Sequence, residues 1–145
     1  MSDFAKENQI PYGVVEETID IVLDMSINDV DSVSNKTVAV HQMPFSINDD
    51  EAIEPLAFIV DTAFTSDGSA TLSIGTDSST EPDNWLDDTA VSSLTVDAII
   101  EMTGDGSSSS WITNKTGAEL PLYFENKTAA FTAGKGRIRC RKFKV

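Results

Sequence analysis

The chain has 145 residues and a mass of 15.7 kDa, the length of one domain able to enclose a core without disulfides or metals. Its 40% hydrophobic content, distributed in short runs of Val, Ile, Thr and Phe, excludes a disordered chain. A net charge of −14 argues against nucleic acid and against anionic membrane surfaces as partners, because both are bound through basic patches.

Charge is unevenly placed. Six of the ten basic residues, Lys135, Arg137, Arg139, Arg141, Lys142 and Lys144, lie in the last eleven positions, so removing that +6 leaves −20 on residues 1–134. Residues 1–12 are polar with one proline and read as an N-terminal arm, either ordered on a neighbour or a frayed terminus, with residues 13–145 forming the folded domain. The opening residues lack the basic and apolar runs of a secretory signal, and no segment is long enough to span a bilayer.

In chain order, Thr18 to Met25 alternates with Ile19, Ile21, Leu23 and Met25 on one side, the period of a half-buried strand. Ser26 to Lys36 is rich in Asp, Asn and Ser and reads as a connection. Thr37 to Met43 is the next strand candidate, ended by Pro44, and the acidic stretch Ser46 to Glu54 reads as a loop or short helix ahead of Pro55. Leu56 to Thr65 and Ala70 to Gly75, joined by Ser66-Asp67-Gly68-Ser69, carry the signature of a hairpin. Leu56, Phe58, Val60, Thr62 and Phe64 are expected to share one face, with Leu72 and Ile74 continuing it on the return strand. After a loop from Thr76 to Asp88, Trp85 is expected to anchor the chain on the core. Val96 to Ile100 is apolar enough to be buried but ambiguous in type. Gly104 to Ser110 reads as an exposed loop tip. Leu120 to Phe124, Thr128 to Thr132 and Gly136 to Val145 then give three candidates at antiparallel meander spacing. About eight short strands without strong helical stretches predict an all-β antiparallel sandwich or jelly roll. The Asn-Lys-Thr triplets at Asn35, Asn114 and Asn126 read as turn chemistry.

The residues offer little for catalysis. His41 is the only histidine and Cys140 the only cysteine, so no disulfide forms within the chain and no zinc ligand set is present. His41 reads as a strand-face residue with a hydrogen-bonding partner, and Cys140 as a buried thiol. A Cys140 to His41 dyad has no local support, and no nucleophile elbow or phosphate loop occurs. The carboxylates Asp83, Asp87 and Asp88, or Asp49, Asp50 and Glu51, are the places a hard cation would bind, but no calcium-loop spacing accompanies them and solvated surface is the plainer reading. No catalytic residue, cofactor or metal is assigned.

The distinctive element is the basic C-terminal run, in which Arg137, Arg139 and Arg141 project to one face while Ile138 and Cys140 face the other. Two readings apply. The cations protect an exposed edge strand, or they contact acidic groups of this body, of another subunit or of a scaffold.

Three segments carry a resemblance. Val60 to Asp77 (Val-Asp-Thr-Ala-Phe-Thr-Ser-Asp-Gly-Ser-Ala-Thr-Leu-Ser-Ile-Gly-Thr-Asp), Pro82-Asp83-Asn84-Trp85-Leu86 and Thr132-Ala133-Gly134-Lys135-Gly136-Arg137-Ile138 together resemble the small jelly-roll proteins that decorate or cement the heads of tailed bacteriophages. The resemblance covers about half the chain and implies a non-enzymatic virion protein, often a homotrimer, bridging major capsid protein subunits on the capsid surface. The arginine cluster and the arm are outside the matched pattern. Charge and apolarity make Arg137, Arg139, Arg141, Phe4, Ile10 and Tyr12 the candidate protein contacts. The alternatives are a phage tail, fibre or receptor module reading a glycan with Trp85 or Trp111, and a small hydrolase or metal-dependent protein.

Overall fold

The structure, a computed structural model, describes residues 16–77, 81–103 and 111–145. Nine strands form two antiparallel sheets. They are β1 (Glu16–Asp24), β2 (Val40–Ile47), β3 (Glu51–Ser66), β4 (Thr71–Gly75), β5 (Leu86–Ala90), β6 (Ile99–Glu101), β7 (Ile112–Asn114), β8 (Leu120–Lys127) and β9 (Phe131–Lys144), with a 3-10 turn at Val91–Ser93. One sheet runs β1-β9-β3-β6, with β7 also paired to β3; the other runs β2-β8-β4-β5. The short strands β6 and β7 lie end to end along the same edge of β3, against Ala57–Ile59 and Glu51–Ile53. Counting them as one position gives the eight-position, two-sheet order of a jelly roll, in which nearly every connection crosses between sheets.

The core lies between the sheets. Ile21, Leu23, Phe58, Val60, Ile138 and Cys140 enter from the five-stranded side, and Met43, Ile47, Leu72, Ile74, Leu122 and Phe124 from the four-stranded side. Alternation on β9 places Gly134 and Gly136 inward, where their missing side chains make room for rings: a Cβ on Gly134 would lie 2.4 Å from the ring of Phe64, and one on Gly136 2.4 Å from that of Phe58. Trp85 is fully buried, as expected of an anchor.

Several expectations need correction. Pro44 does not end β2: the strand continues to Ile47 through an irregularity between Gln42 and Ser46, which relieves the proline's missing donor. The stretch Ser46 to Glu54 is neither loop nor helix as a whole, because only Asn48 to Asp50 turn, Asp50 at φ 63, before β3 begins at Glu51. The expected hairpin does not form. β3 pairs with β9, β6 and β7, whereas β4 pairs with β8 and β5, so Ser66 to Ser69 carries the chain from one sheet to the other. Leu72 and Ile74 therefore cover the β3 layer from across the core instead of extending it. Leu56 and Thr62 leave that layer because the register slips between Pro55 and Ala57 and again around Thr62, turning both outward while Phe58, Val60 and Phe64 stay buried. Val96 and Ile99 are exposed, the latter to 73%, since β6 is an edge strand whose outward position Ile99 occupies. Thr128 to Thr132 is not a separate strand: Thr128 turns at φ 73 and Phe131 already begins β9, which does not pair with β8. The 1–12 arm and the Gly104 to Ser110 tip lie outside the described residues.

The three Asn-Lys-Thr asparagines do organise turns. Asn114 Nδ2 donates to the Ile47 and Ala118 carbonyls, at 2.9 and 2.7 Å, while its Oδ1 accepts from the Thr116 amide and hydroxyl. Asn126 Nδ2 donates to the carbonyls of Asn35 and Thr37, and Asn35 Nδ2 to that of Asp24. All three are buried.

Candidate functional site

The strand order explains the basic tail. β9 is not an edge strand; it lies between β1 and β3, both of which are acidic on the outward face. The edge-protection reading is thereby removed. Arg137 reaches Asp20 at 3.2 Å and Asp61 at 2.9 Å, Arg139 pairs with Asp20 at 2.9 Å, and Arg141 pairs with Glu54 and with Glu16 at 3.6 Å. Lys142, on the opposite face of β9 with Ile138 and Cys140, makes a separate pair of contacts at the end of the sheet, with Glu17 at 3.0 Å and Glu51 at 3.5 Å. The hydrogen bond from Arg139 holds the Asp20 carboxyl below the usual range despite some desolvation, and its carboxylate neighbours raise the arginines in turn. The outward face of this sheet is thus a cross-strand lattice of opposite charges. Of the candidate contacts, Arg137, Arg139 and Arg141 are brought together on it, whereas Phe4, Ile10 and Tyr12 lie outside the described residues.

Trp111 sits at one end of this lattice. It is 36% exposed, its ring lies 4.9 Å from that of Phe143, and the Arg141 guanidinium lies 5.8 Å from its centroid. With Trp85 buried, Trp111 is the tryptophan that can face a ligand.

His41 and Cys140 do not form a dyad. His41, on β2, is stacked at 4.8 Å on Phe124 and faces Asp29 Oδ2 with Nδ1 and the Thr37 carbonyl with Nε2, both at 2.9 Å. Asp29 has a side chain almost as buried as that of His41. Burial works to raise the Asp29 carboxyl, but hydrogen bonds from His41 and from the Val33 and Asp31 amides outweigh it and lower it. Cys140 is in the other sheet, where burial pushes its thiol up to about 12, far from the reactive thiolate.

The acidic groups separate by role. Asp49 accepts from the Gly117 amide, Asp50 pairs with Lys115, and Glu51 accepts from the Asn48 amide and pairs with Lys142. On the outer side of the four-stranded sheet, Glu81, Asp87 and Asp88 bring one carboxylate oxygen each within 4.8 Å of one another, with the Lys127 ammonium on Glu81 and 3.1 Å from Asp88. Burial raises the Asp87 carboxyl, helped by Asp88, Asp83 and Glu81, and burial likewise raises Glu125.

The residues that sequence reasoning passed over are in the β1–β2 connection. There the polar side chains of Asp29 and Asn35 turn inward, while Ile27, Val30, Val33 and Val38 stand 43–54% exposed. Four aliphatic residues in twelve positions of an otherwise polar connection were the available signal.

No family model matches the chain, and neither curated proteins nor solved structures give a significant match.

Proposed function

We propose that this chain is a structural virion protein that attaches to the outer surface of a phage capsid as a homo-oligomer and stabilises the shell by bridging major capsid protein subunits. The observation that carries the reading is the jelly-roll strand order, which agrees with the fold implied by the resemblance of the Val60 to Asp77, Pro82 to Leu86 and Thr132 to Ile138 segments to head-decoration proteins. Those segments include the crossing from β3 to β4, the buried Trp85 anchor and the glycine-bearing stretch of β9.

Binding is the whole mechanism in this reading. Repetition on a lattice lets weak single contacts act together, through an effective concentration set by geometry, so a single large hot spot is not required. The protein is expected to cosediment with purified heads and to raise the temperature at which they release DNA; image reconstruction should place it at repeated positions on the shell. Heads that neither retain the protein nor gain stability reject the proposal.

A second reading, a tail, fibre or receptor module that binds a glycan, is favoured by Trp111 at the surface beside Arg141. Glycan binding that disappears in Trp111→Ala, without retention on heads, would select it.

A further inference from the structure

We infer that His41 and Asp29 form a proton-dependent latch on the β1–β2 connection, closed while the His41 ring carries hydrogens on both nitrogens and loosened when one of them leaves. Such a latch operates whatever surface the protein binds.

A neutral imidazole offers one N–H and one lone pair, whereas an imidazolium offers two N–H groups and no acceptor. His41 has acceptors on both sides. Nδ1 is 2.9 Å from Asp29 Oδ2 and Nε2 is 2.9 Å from the Thr37 carbonyl oxygen, and neither a carboxylate nor a carbonyl can donate. The Thr37 hydroxyl lies 3.4 Å from Nε2, but its one hydrogen is directed at the Ser34 carbonyl, 3.0 Å away. Whichever tautomer a neutral ring adopts, one ring lone pair faces an oxygen lone pair, in a site where the His41 side chain is fully buried and that of Asp29 is 4% exposed. The doubly protonated ring satisfies both contacts, with Nδ1–H on the carboxylate and Nε2–H on the carbonyl.

The charges around the ring favour that form. Asp29 faces it from the connection; burial opposes ionisation of its carboxyl, but hydrogen bonds from His41 and from the Val33 and Asp31 amides outweigh burial. The other charged groups of the connection turn elsewhere: Asp31 is exposed, Asp24 accepts from the Ser26 amide and hydroxyl, and Lys36 lines an open depression with Lys135. β2 carries no charged residue besides His41 itself. From β8 the ring receives Phe124, stacked at 4.8 Å, while Glu125 and Lys127 alternate to the outer face of that sheet. Asp29 is thus the charge that His41 meets among the described residues.

The two acceptors belong to opposite halves of the connection, so the ring clasps both. Asp29 orders the first half: its Oδ1 accepts from the Asp31 and Val33 amides, and its own amide donates to the Val33 carbonyl. Thr37 closes the second half, where its carbonyl also accepts from Asn126 Nδ2 at 3.1 Å, and the same Nδ2 holds the Asn35 carbonyl. When one ring proton leaves for solvent, one end of the clasp opens. A ring that keeps Nδ1–H holds Asp29 and repels the Thr37 carbonyl; a ring that keeps Nε2–H turns a lone pair toward a buried carboxylate, the costlier arrangement. The connection gives way and not the ring, because His41 is fixed within β2, paired with Phe124 in strand register and stacked on it.

The chain's single histidine makes the ring directly observable. Ring ¹H–¹⁵N spectra and amide-exchange protection factors, recorded on the full chain from about pH 5.5 to about pH 9, follow the proton and the latch together. Two ring N–H signals protected from exchange are expected at the acid end. Protection of the Asp31 and Val33 amides should then fall about tenfold at the pH where the ring loses a proton, the equivalent of one hydrogen bond, while the amides of β9 in the other sheet keep theirs. Asp29→Asn, which keeps the shape and removes the charge, should move the ring's midpoint to lower pH, and His41→Gln should make the protection flat across the range. If neither variant folds, the wild-type comparison decides alone. A ring with one N–H at the acid end while Asp31 and Val33 are fully protected overturns the latch; so does protection that ignores the ring's midpoint, or that changes equally in β9.

Discussion

Asp29 and His41 tie the β1–β2 connection to the rim of the four-stranded sheet, and the tie is buried on both sides. Removing one member leaves the other desolvated with a missing bond, a larger loss than that of an exposed pair. Asp29→Ala is expected to cost about 3 kcal/mol in denaturant-induced unfolding, whereas Arg139→Ser, which removes a half-exposed member of the outer charge lattice, should cost far less. Asn114→Ala should cost about 2 kcal/mol, because the Ile47 and Ala118 carbonyls lose their donor together. The thiol of Cys140 gives a chemical readout of the same core. With burial pushing it up to about 12, a disulfide reagent at pH 8 should leave the native protein unmodified and react fully in denaturant; rapid modification of folded protein would contradict the packing.

At the scale of elements, β9 shows how two kinds of pattern cooperate. Its inward residues fit the core, its outward arginines meet carboxylates on both neighbours, and Gly134 and Gly136 admit Phe64 and Phe58. Gly136→Ala should destabilise the fold by about 2 kcal/mol, measured by thermal or denaturant unfolding, since the added methyl overlaps the Phe58 ring and overpacking of this kind costs about 1–3 kcal/mol. The alternation of Ile19, Ile21, Leu23 and Met25, and of Ile138 and Cys140 against the arginines, was readable because period two is a local property. Which strand neighbours which was not. The Asp-Gly turn after Ser66 has hairpin chemistry, yet a jelly roll uses it to cross between layers, a choice made by what β8 and β9 offer to β4 and β3. The slips at Leu56 and Thr62 were hidden for the same reason, as a bulge depends on the partner strand's register. Arg137, Arg139 and Arg141 could be selected as a group from charge, but their acceptors at Asp20, Asp61, Glu54 and Glu16 come from strands distant in sequence. The aliphatic residues of the β1–β2 connection were visible as letters only; their outward direction follows from the inward hydrogen bonds of Asp29 and Asn35.

For the whole molecule, two small sets of carboxylates have opposite linkage to folding. Asp20, Asp24 and Asp29 are lowered in the folded state, so the unfolded chain binds more protons and their stabilisation is present above about pH 4, the unfolded aspartate value, and lost as pH falls through the folded values. Asp87 and Glu125 are raised, so the folded chain binds more protons; their penalty is full above the raised values and is relieved as pH falls toward about 4. Stability should therefore rise modestly as pH falls from neutrality through the raised values of Asp87 and Glu125, and fall below about 4. Urea unfolding at half-unit pH steps measures this, and a monotonic decline from pH 7 would contradict the assignment. Relief of the general repulsion in a −14 chain acts in the same direction as the first change.

The position of β9 also dictates when the protein can fold. The last of the nine strands to leave a ribosome is an interior strand of its sheet, clasped by the first and the third. Until it emerges, β1 lacks its one partner among the described strands, β3 lacks its longest neighbour, and the core lacks Phe131, Ile138 and Cys140. Chains stalled before Phe131 should consequently be protease-sensitive and bound by chaperones, and emergence of β9 should allow the five-stranded sheet to close over the core.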